Sequence, residues 1–310
     1  MTAYFWLFSG LIVMIICGNL LVTGSVQLAR HFKISTLVVG LTVVAYVTST
    51  PEIFISVKAA LDGSPDIALG NVIGSNIANI GCILAAVAII CPIAIRNKAI
   101  GFNVAVMFFV TLLLLVFGYN GIIGRLEGIC FLIILITFTV WSIAQSRKNA
   151  DAKETEQATM KPLRAVLMIL AAVFGLYFSA EWFVRGACEL AFLWGVSERV
   201  IAVSVVAIGT SMPELVTSLV AAFKKEADLS IGNIVGSNFF NIVGVLGLTT
   251  TVRAVNITNH TLFIYDMVWL FGISILLLLT MLPLSRGKII RWEGVLLLSV
   301  FVGYMITLYK

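Results

Sequence analysis

Apolar residues run through this chain in stretches long enough to cross a lipid bilayer, and nothing else limits its possible folds so sharply. A helix needs about 20 such residues to span roughly 30 Å of hydrocarbon. Ten runs meet that length or approach it, near residues 3–29, 35–60, 67–92, 101–118, 123–145, 165–191, 198–222, 231–252, 261–283 and 290–308. Hydrophobic residues make up 60% of the 310 and charged residues only 11%, about half the charged share of an ordinary soluble domain. Lipid offers no partner to a backbone N–H or C=O, so runs of this kind close their hydrogen bonds internally as helices. The expected fold is therefore an all-α polytopic membrane protein with ten transmembrane helices. The opening stretch, Met1 to Arg30, is too long for a cleavable signal and lacks a basic start.

The net charge of +5 is arranged as membrane topology rather than as a nucleic-acid surface. Cytoplasmic loops carry an excess of Lys and Arg. With the N-terminus outside, Arg30, Lys33, Arg96, Lys98, Arg147, Lys148, Lys153, Lys161, Arg164, Lys224, Lys225, Arg286, Lys288 and Arg291 all fall inside. Lys58, Arg125, Arg185, Arg199, Arg253 and Lys310 remain outside. This predicts both termini outside, and an inside linker at the one markedly polar stretch, Ser146 to Pro162. Five cysteines (Cys17, Cys82, Cys91, Cys130, Cys188) lie in apolar runs without CxxC spacing and are expected as small buried hydrophobes. Asp266 is expected at the interface. Glu181, Arg185 and Glu189 are expected to form a local charge cluster.

The chain also repeats itself. A shift of 162 lays residues 18–84 on 180–246 without a gap, with about 25 of 67 positions identical. The densest matches are VVAYVTSTPE (43–52) over VVAIGTSMPE (205–214), and GNVIGSNIANI (70–80) over GNIVGSNFFNI (232–242). Residues 1–145 and 165–310 thus form two repeats joined by a cytoplasmic linker, 146–164. Each repeat holds five spans. Five is odd, so the second repeat enters the membrane from the opposite side. Inverted repeats of this kind are typical of secondary transporters, which bind substrate at the midplane where the repeats meet.

Glu52 and Glu214 sit at the same repeat position, well inside apolar runs. A carboxylate there is costly unless it is paired, protonated or bound to a cation. Each follows a proline, Pro51 or Pro213, which lacks an N–H and clashes with the carbonyl four residues back; bends are expected at Val47 and Gly209. Hydroxyls precede the prolines: Thr48, Ser49 and Thr50, then Thr210 and Ser211. In the second block Asn71, Ser75 and Asn79 step by four along one helix face, as do Asn233, Ser237 and Asn241. The plain alternative for the amides is hydrogen bonding between helices. Gly70, Gly74, Gly232 and Gly236 are spaced GxxxG and suit close helix packing. Carboxylate, hydroxyl and amide oxygens are hard ligands, suited to calcium, magnesium or sodium. Two carboxylates match one divalent ion, with Na⁺ or H⁺ as the exchanged partner. Charge counting does not choose between them. A cation channel is a further alternative, which the inverted repeat disfavours. No nucleophile–base set or phosphate loop suggests an enzyme.

The paired blocks VTSTPE…GNVIGSNIAN and GTSMPE…GNIVGSNFFN resemble the alpha repeats of the calcium/cation antiporter superfamily, in particular its prokaryotic sodium/calcium exchanger branch. The resemblance covers essentially both halves. It implies ten helices in an inverted five-plus-five repeat, in the cell or inner membrane, with a site lined by the second, third, seventh and eighth helices. It also implies Na⁺-driven Ca²⁺ exchange by alternating access, with Ca²⁺ and Na⁺ as transported ions, the bilayer as setting, and neither a resident cofactor nor an obligate protein partner. By motif, Glu52 and Glu214 match the ion-binding acids, and Thr48, Ser49, Thr210 and Ser211 match hydroxyl and carbonyl ligands. Ala45 and Ala207 match carbonyl ligands; Ser75, Asn79 and Ser237 match further ligands, and Asn241 occupies the remaining position. Two departures stand out. Tyr46 and Val47 precede Thr48 where the family usually has glycine in the second of these positions. Asn241 stands where several relatives, including potassium-dependent ones, carry Asp, which argues against a K⁺ requirement. Proton-coupled calcium exchangers typically carry an acid in the GN-containing stretch, and the neutral Asn79 and Asn241 tilt the resemblance toward Na⁺.

Overall fold

The computed structural model describes residues 2–95, 99–150, 157–195, 207–281 and 287–308. The described chain is overwhelmingly helical. Its helices are α1 (Thr2–Phe32), α2 (Thr36–Thr48), α3 (Thr50–Leu61), α4 (Pro65–Ile90), α5 (Ala99–Gly118), α6 (Arg125–Lys148) and α7 (Pro162–Leu193), followed by α8 (Ala207–Thr210), α9 (Met212–Phe223), α10 (Ala227–Val252), α11 (His260–Thr280) and α12 (Arg291–Leu308). Among the described residues eight helices are long and apolar enough to cross a membrane, and α2 with α3, bent by 48°, make a ninth span. The run expected at 198–222 corresponds to α8 and α9; its start lies outside the described residues. So do Arg96, Lys98, Lys153, Arg199, Arg286 and Lys310.

The two helices that carry the amide blocks form the centre. The apolar window of α10 is 94% buried and that of α4 72%, against 17% for α6. This ordering explains the sequence: α4 and α10 hold the polar residues, which only the middle of the protein can shelter from lipid. Around them α1 and α7 run antiparallel. A Cβ on Gly10 would stand 2.8 Å from the Ser179 carbonyl, and one on Gly24 2.9 Å from the Ala165 carbonyl. Such contacts need glycine, because backbones this close leave no room for a side chain.

The runs at 35–60 and 67–92 are separated by a tight turn in which Gly63 takes φ 80°. Its repeat counterpart, Lys225, takes φ 64°, so the backbone shape survives without glycine. The GxxxG expectation is met at Gly232 and Gly236. Cβ atoms there would lie 2.6 Å from the Leu37 carbonyl and from the Leu41 Cα of α2. Gly70 and Gly74 have no described neighbour within 4 Å.

Two short antiparallel ribbons join the halves. β1 (Ile93–Ala94) pairs with β4 (Lys288–Ile289), and β2 (Ile122–Ile123) pairs with β3 (Val255–Asn256). Each ribbon leads into a helix with the same opening, Arg125-Leu-Glu-Gly on α6 and Arg291-Trp-Glu-Gly on α12. The glutamates cap their own helix starts: Glu127 accepts the Gly124 N–H at 3.1 Å, and Glu293 the Ile290 N–H at 2.8 Å. This is the glutamate half of a capping box. The following glycines touch the central helices. A Cβ on Gly128 would lie 2.8 Å from the Gly247 carbonyl, and one on Gly294 2.8 Å from the Ala85 carbonyl. Gly247 and Ala85 are again 162 apart.

Asp266 has a partner in the fold that the sequence did not reveal. It is buried on α11 and accepts the Tyr304 hydroxyl of α12 at 3.2 Å, because α12 packs over that face and supplies the one partner a buried acid needs. Arg185 and Glu189 pair as expected, at 3.2 Å on the exposed side of α7, and Arg185 lies 4.8 Å over the Trp6 ring. Cys17 is buried and the other four cysteines are half-buried, all free.

Gly294→Ala should lower stability by roughly 1–3 kcal/mol through overpacking against the Ala85 carbonyl. Gly272→Ala, with no described atom within 4 Å, should cost nothing measurable. Thermal unfolding of both variants in detergent tests the pair, and equal melting temperatures would remove the close-approach argument.

Candidate cation site

The prolines break the two central helix pairs, two residues later than the sequence suggests. The interruptions fall at Ser49 (φ −87°, ψ 14°) and Ser211 (φ −88°, ψ 5°) rather than at Val47 and Gly209. The reason lies in where each proline ends up. Pro51 and Pro213 sit in the first turn of α3 and α9, where a missing N–H costs nothing and the fixed φ is already helical. The strain is released at the residue that caps the new helix. Glu52 and Glu214 then occupy the first turn of α3 and α9, beside the positive end of a helix dipole.

Both acids are sealed from solvent, Glu52 at 0% and Glu214 at 1% exposure. Ser49 of α2–α3 donates to Glu214 Oε1 at 2.9 Å, so one half holds the other half's acid. Thr48 repeats the crossing: its hydroxyl lies 3.2 Å from Asn233 Oδ1 and 3.5 Å from Ser237 Oγ, both on α10. It also lies 3.3 Å from the Ala45 carbonyl.

The amides divide into two groups. Asn71 donates to Ser56 Oγ at 2.9 Å and to the Glu52 carbonyl at 3.3 Å. Asn233 makes the matching bonds to Ser218 Oγ at 2.9 Å and to the Glu214 carbonyl at 3.4 Å. These two are ties between helices. Asn79 and Asn241 are different. Each is buried, and neither its oxygen nor its nitrogen has a protein partner. Each also opens a π-helical turn, Asn79–Leu84 and Asn241–Leu246, a widened turn found mostly at functional sites. Ser75, Ser237, Thr210 and Ser211 are buried on the same elements, and Ala207 begins α8.

The buried oxygens without a partner converge on one kind of chemistry. Both Glu52 oxygens, Glu214 Oε2, Ser211 Oγ, and the amide oxygens of Asn79 and Asn241 are unpaired. Buried polar atoms are normally hydrogen-bonded, and a buried carboxylate without a counter-charge costs several kcal/mol. Hard cations bind through such oxygens. Carboxylate, hydroxyl and amide oxygens suit such ions better than zinc or copper, which favour nitrogen or sulfur.

Sequence reasoning passed over three buried residues. Asn76 has both side-chain polar atoms unpaired, and Asn238, its counterpart, has Oδ1 unpaired. Thr217 Oγ1 is likewise unpaired. For the asparagines a signal was present, since both recur within the repeated GSN stretch. Thr217 recurs as Ile55 and carried none.

These features define a multi-pass integral membrane protein with a buried two-carboxylate oxygen site. The family described as sodium/calcium exchanger protein matches residues 2–144 and 164–310. The chain belongs to that family. It is 28% identical over 344 residues to the sodium/calcium exchanger MaX1 of Methanosarcina acetivorans, covering 97% of this chain and 96% of that one. It is 31% identical over 311 residues to the inner membrane protein YrbG of Escherichia coli, covering 97% and 94%. Its fold matches a structure of the sodium-calcium exchanger NCX_Mj soaked with Na⁺ and Ca²⁺, at a TM-score of 0.85 and 31% identity over 99% of both chains. Two of these relatives are sodium/calcium exchangers and one is an inner membrane protein.

Asn233→Leu should lower ion-free stability by about 1–3 kcal/mol, because it strips hydrogen bonds from three buried partners. Asn79→Leu should leave the ion-free melting temperature unchanged or higher, yet abolish any rise on adding Ca²⁺. Thermal unfolding with and without Ca²⁺ separates the two roles. Identical behaviour of the variants would mean that the division into ties and ligands is wrong.

Proposed function

We propose that the protein is a secondary active antiporter that exchanges Na⁺ for Ca²⁺ by alternating access at a site centred on Glu52 and Glu214. The observation that carries this reading is a pair of sealed carboxylates from different halves of the chain, three of whose four oxygens have no protein partner. Thr48, Ser49, Thr210 and Ser211 supply hydroxyls or carbonyls, Ala45 and Ala207 carbonyls near the helix breaks, and Ser75, Ser237, Asn79 and Asn241 further oxygens. Two carboxylates neutralise one Ca²⁺ or two Na⁺, so the ions compete for one charge and cannot share the site fully. That competition is what couples their movements. Asn241 and Asn79 are neutral, which keeps the centre at two negative charges and favours Na⁺ over H⁺ as the coupling ion.

Residues 1–145 and 165–310 act as two inverted repeats around this site, with 146–164 as a cytoplasmic linker, both termini outside, and the cell (inner) membrane as location. The recurrence of the break, the Asn–Ser tie and the π turn at a spacing of 162 residues supports the repeat. The family match, interrupted between 144 and 164, supports the linker. An odd number of spans per repeat supports the inversion.

Proteoliposomes loaded with Na⁺ should take up ⁴⁵Ca²⁺ only when the outer buffer lacks Na⁺, and Glu52→Gln and Glu214→Gln should each reduce that uptake to background. Uptake driven by a pH gradient and indifferent to Na⁺ would transfer the coupling to H⁺. Flux without any counter-ion would indicate a channel, and full activity of both variants would overturn the carboxylate centre.

A further inference from the structure

The two halves carry nearly the same polar residues around the site, yet one structural element beside it exists in only one of them. Tyr46 lies on α2, between Ala45 and the break at Ser49. Its ring stacks on Phe240 of α10, with centroids 4.2 Å apart and planes at 24°. Its hydroxyl lies 2.5 Å from Thr139 Oγ1 on α6. Its carbonyl accepts the Thr50 hydroxyl at 3.0 Å, across the break. One side chain therefore fastens α2 to two neighbouring helices, two residues before Thr48 and next to Ala45, whose carbonyl accepts the Ser49 N–H at 3.0 Å and lies 3.3 Å from the Thr48 hydroxyl.

The other half has no version of this arrangement. The offset of 162 places Ile208 at the position of Tyr46 and Ala78 at that of Phe240. The offset of 166, set by the shared Arg-x-Glu-Gly openings of α6 and α12, places Met305 at that of Thr139. An isoleucine, an alanine and a methionine offer neither a stacked ring pair nor a hydroxyl pair. The site ligands are thus duplicated while their support is not. A group held before the ion arrives loses less freedom on binding, and affinity rises accordingly.

We propose that Tyr46 is a positioning residue: by clamping α2 to Phe240 and Thr139 it pre-sets the Ala45 carbonyl and Thr48, and it makes Ca²⁺ affinity unequal at the two membrane faces. The inference rests on the antiport reading above. The affected face is the one on which α2 begins. There the Ser35 N–H donates to Ser146 Oγ at 2.7 Å, beside the linker, so the clamp steadies the part of the span between that face and Glu52. Tyr46 does not touch the ion.

The test uses the full-length protein in proteoliposomes of a single orientation, with Na⁺-dependent ⁴⁵Ca²⁺ flux measured against Ca²⁺ concentration at each face in turn. Tyr46→Phe keeps the stacked ring and removes only the hydroxyl. Thr139→Val removes the same bond from the opposite side. Each should raise the half-saturating Ca²⁺ concentration at the linker face about threefold to tenfold, the span expected from one hydrogen bond. The opposite face and the maximal rate should stay within about twofold, and the double variant should add nothing further. Equal shifts at both faces, a fall in maximal rate alone, or no shift would overturn the clamp while leaving exchange intact. A wild-type protein without Na⁺-coupled flux would instead sink the antiport reading, and the clamp with it.

Discussion

A carboxylate inside hydrocarbon is tolerated only when something offsets its charge, and the architecture around Glu52 and Glu214 follows from that. Both acids are carried at the start of a helix, where the backbone dipole favours negative charge. They can be there only because a proline two-thirds of the way through an apolar run ends one helix and begins another. The prolines in turn require the broken backbone to lie within protein, since irregular backbone facing lipid has no partners. Hence α4 and α10, which wrap the breaks, are the most buried helices of the chain. The outer helices, with apolar faces toward lipid, are what remains after that centre is enclosed.

The site is shared rather than duplicated. Ser49 from the first half holds Glu214 of the second, and Thr48 reaches Asn233 and Ser237 on α10. The ribbons β1–β4 and β2–β3 lace the same halves together away from the centre. Glu214 and the polar residues of α10 are thus held partly by the opposite half of the chain. The ties made by Asn71 and Asn233 keep each acid's helix fixed to its neighbour.

Much of this was legible in the residues. Apolar runs led directly to a helical membrane protein, and the 162-residue offset singled out two acids, both of which the fold buries. The error over Val47 and Gly209 was local. A rule about the carbonyl four residues before proline does not say which intervening bond rotates, and the chain chose the cap residue at which a new helix starts with proline already in place. The partner of Asp266 was illegible for another reason: it is Tyr304, 38 residues later, brought there by the packing of α12 over α11.

Composition and periodicity alone determined that the chain spans the membrane, and the 162-residue offset placed Glu52 and Glu214 at matching positions. These follow from length and residue type, which are local properties. Which asparagines are ties and which are free to bind, that Ser49 meets Glu214, and that Tyr46 finds Phe240 and Thr139 were decided by tertiary structure. Residues separated by 93 to 194 positions become neighbours only when the helices pack, and no spacing within one helix encodes which face meets which.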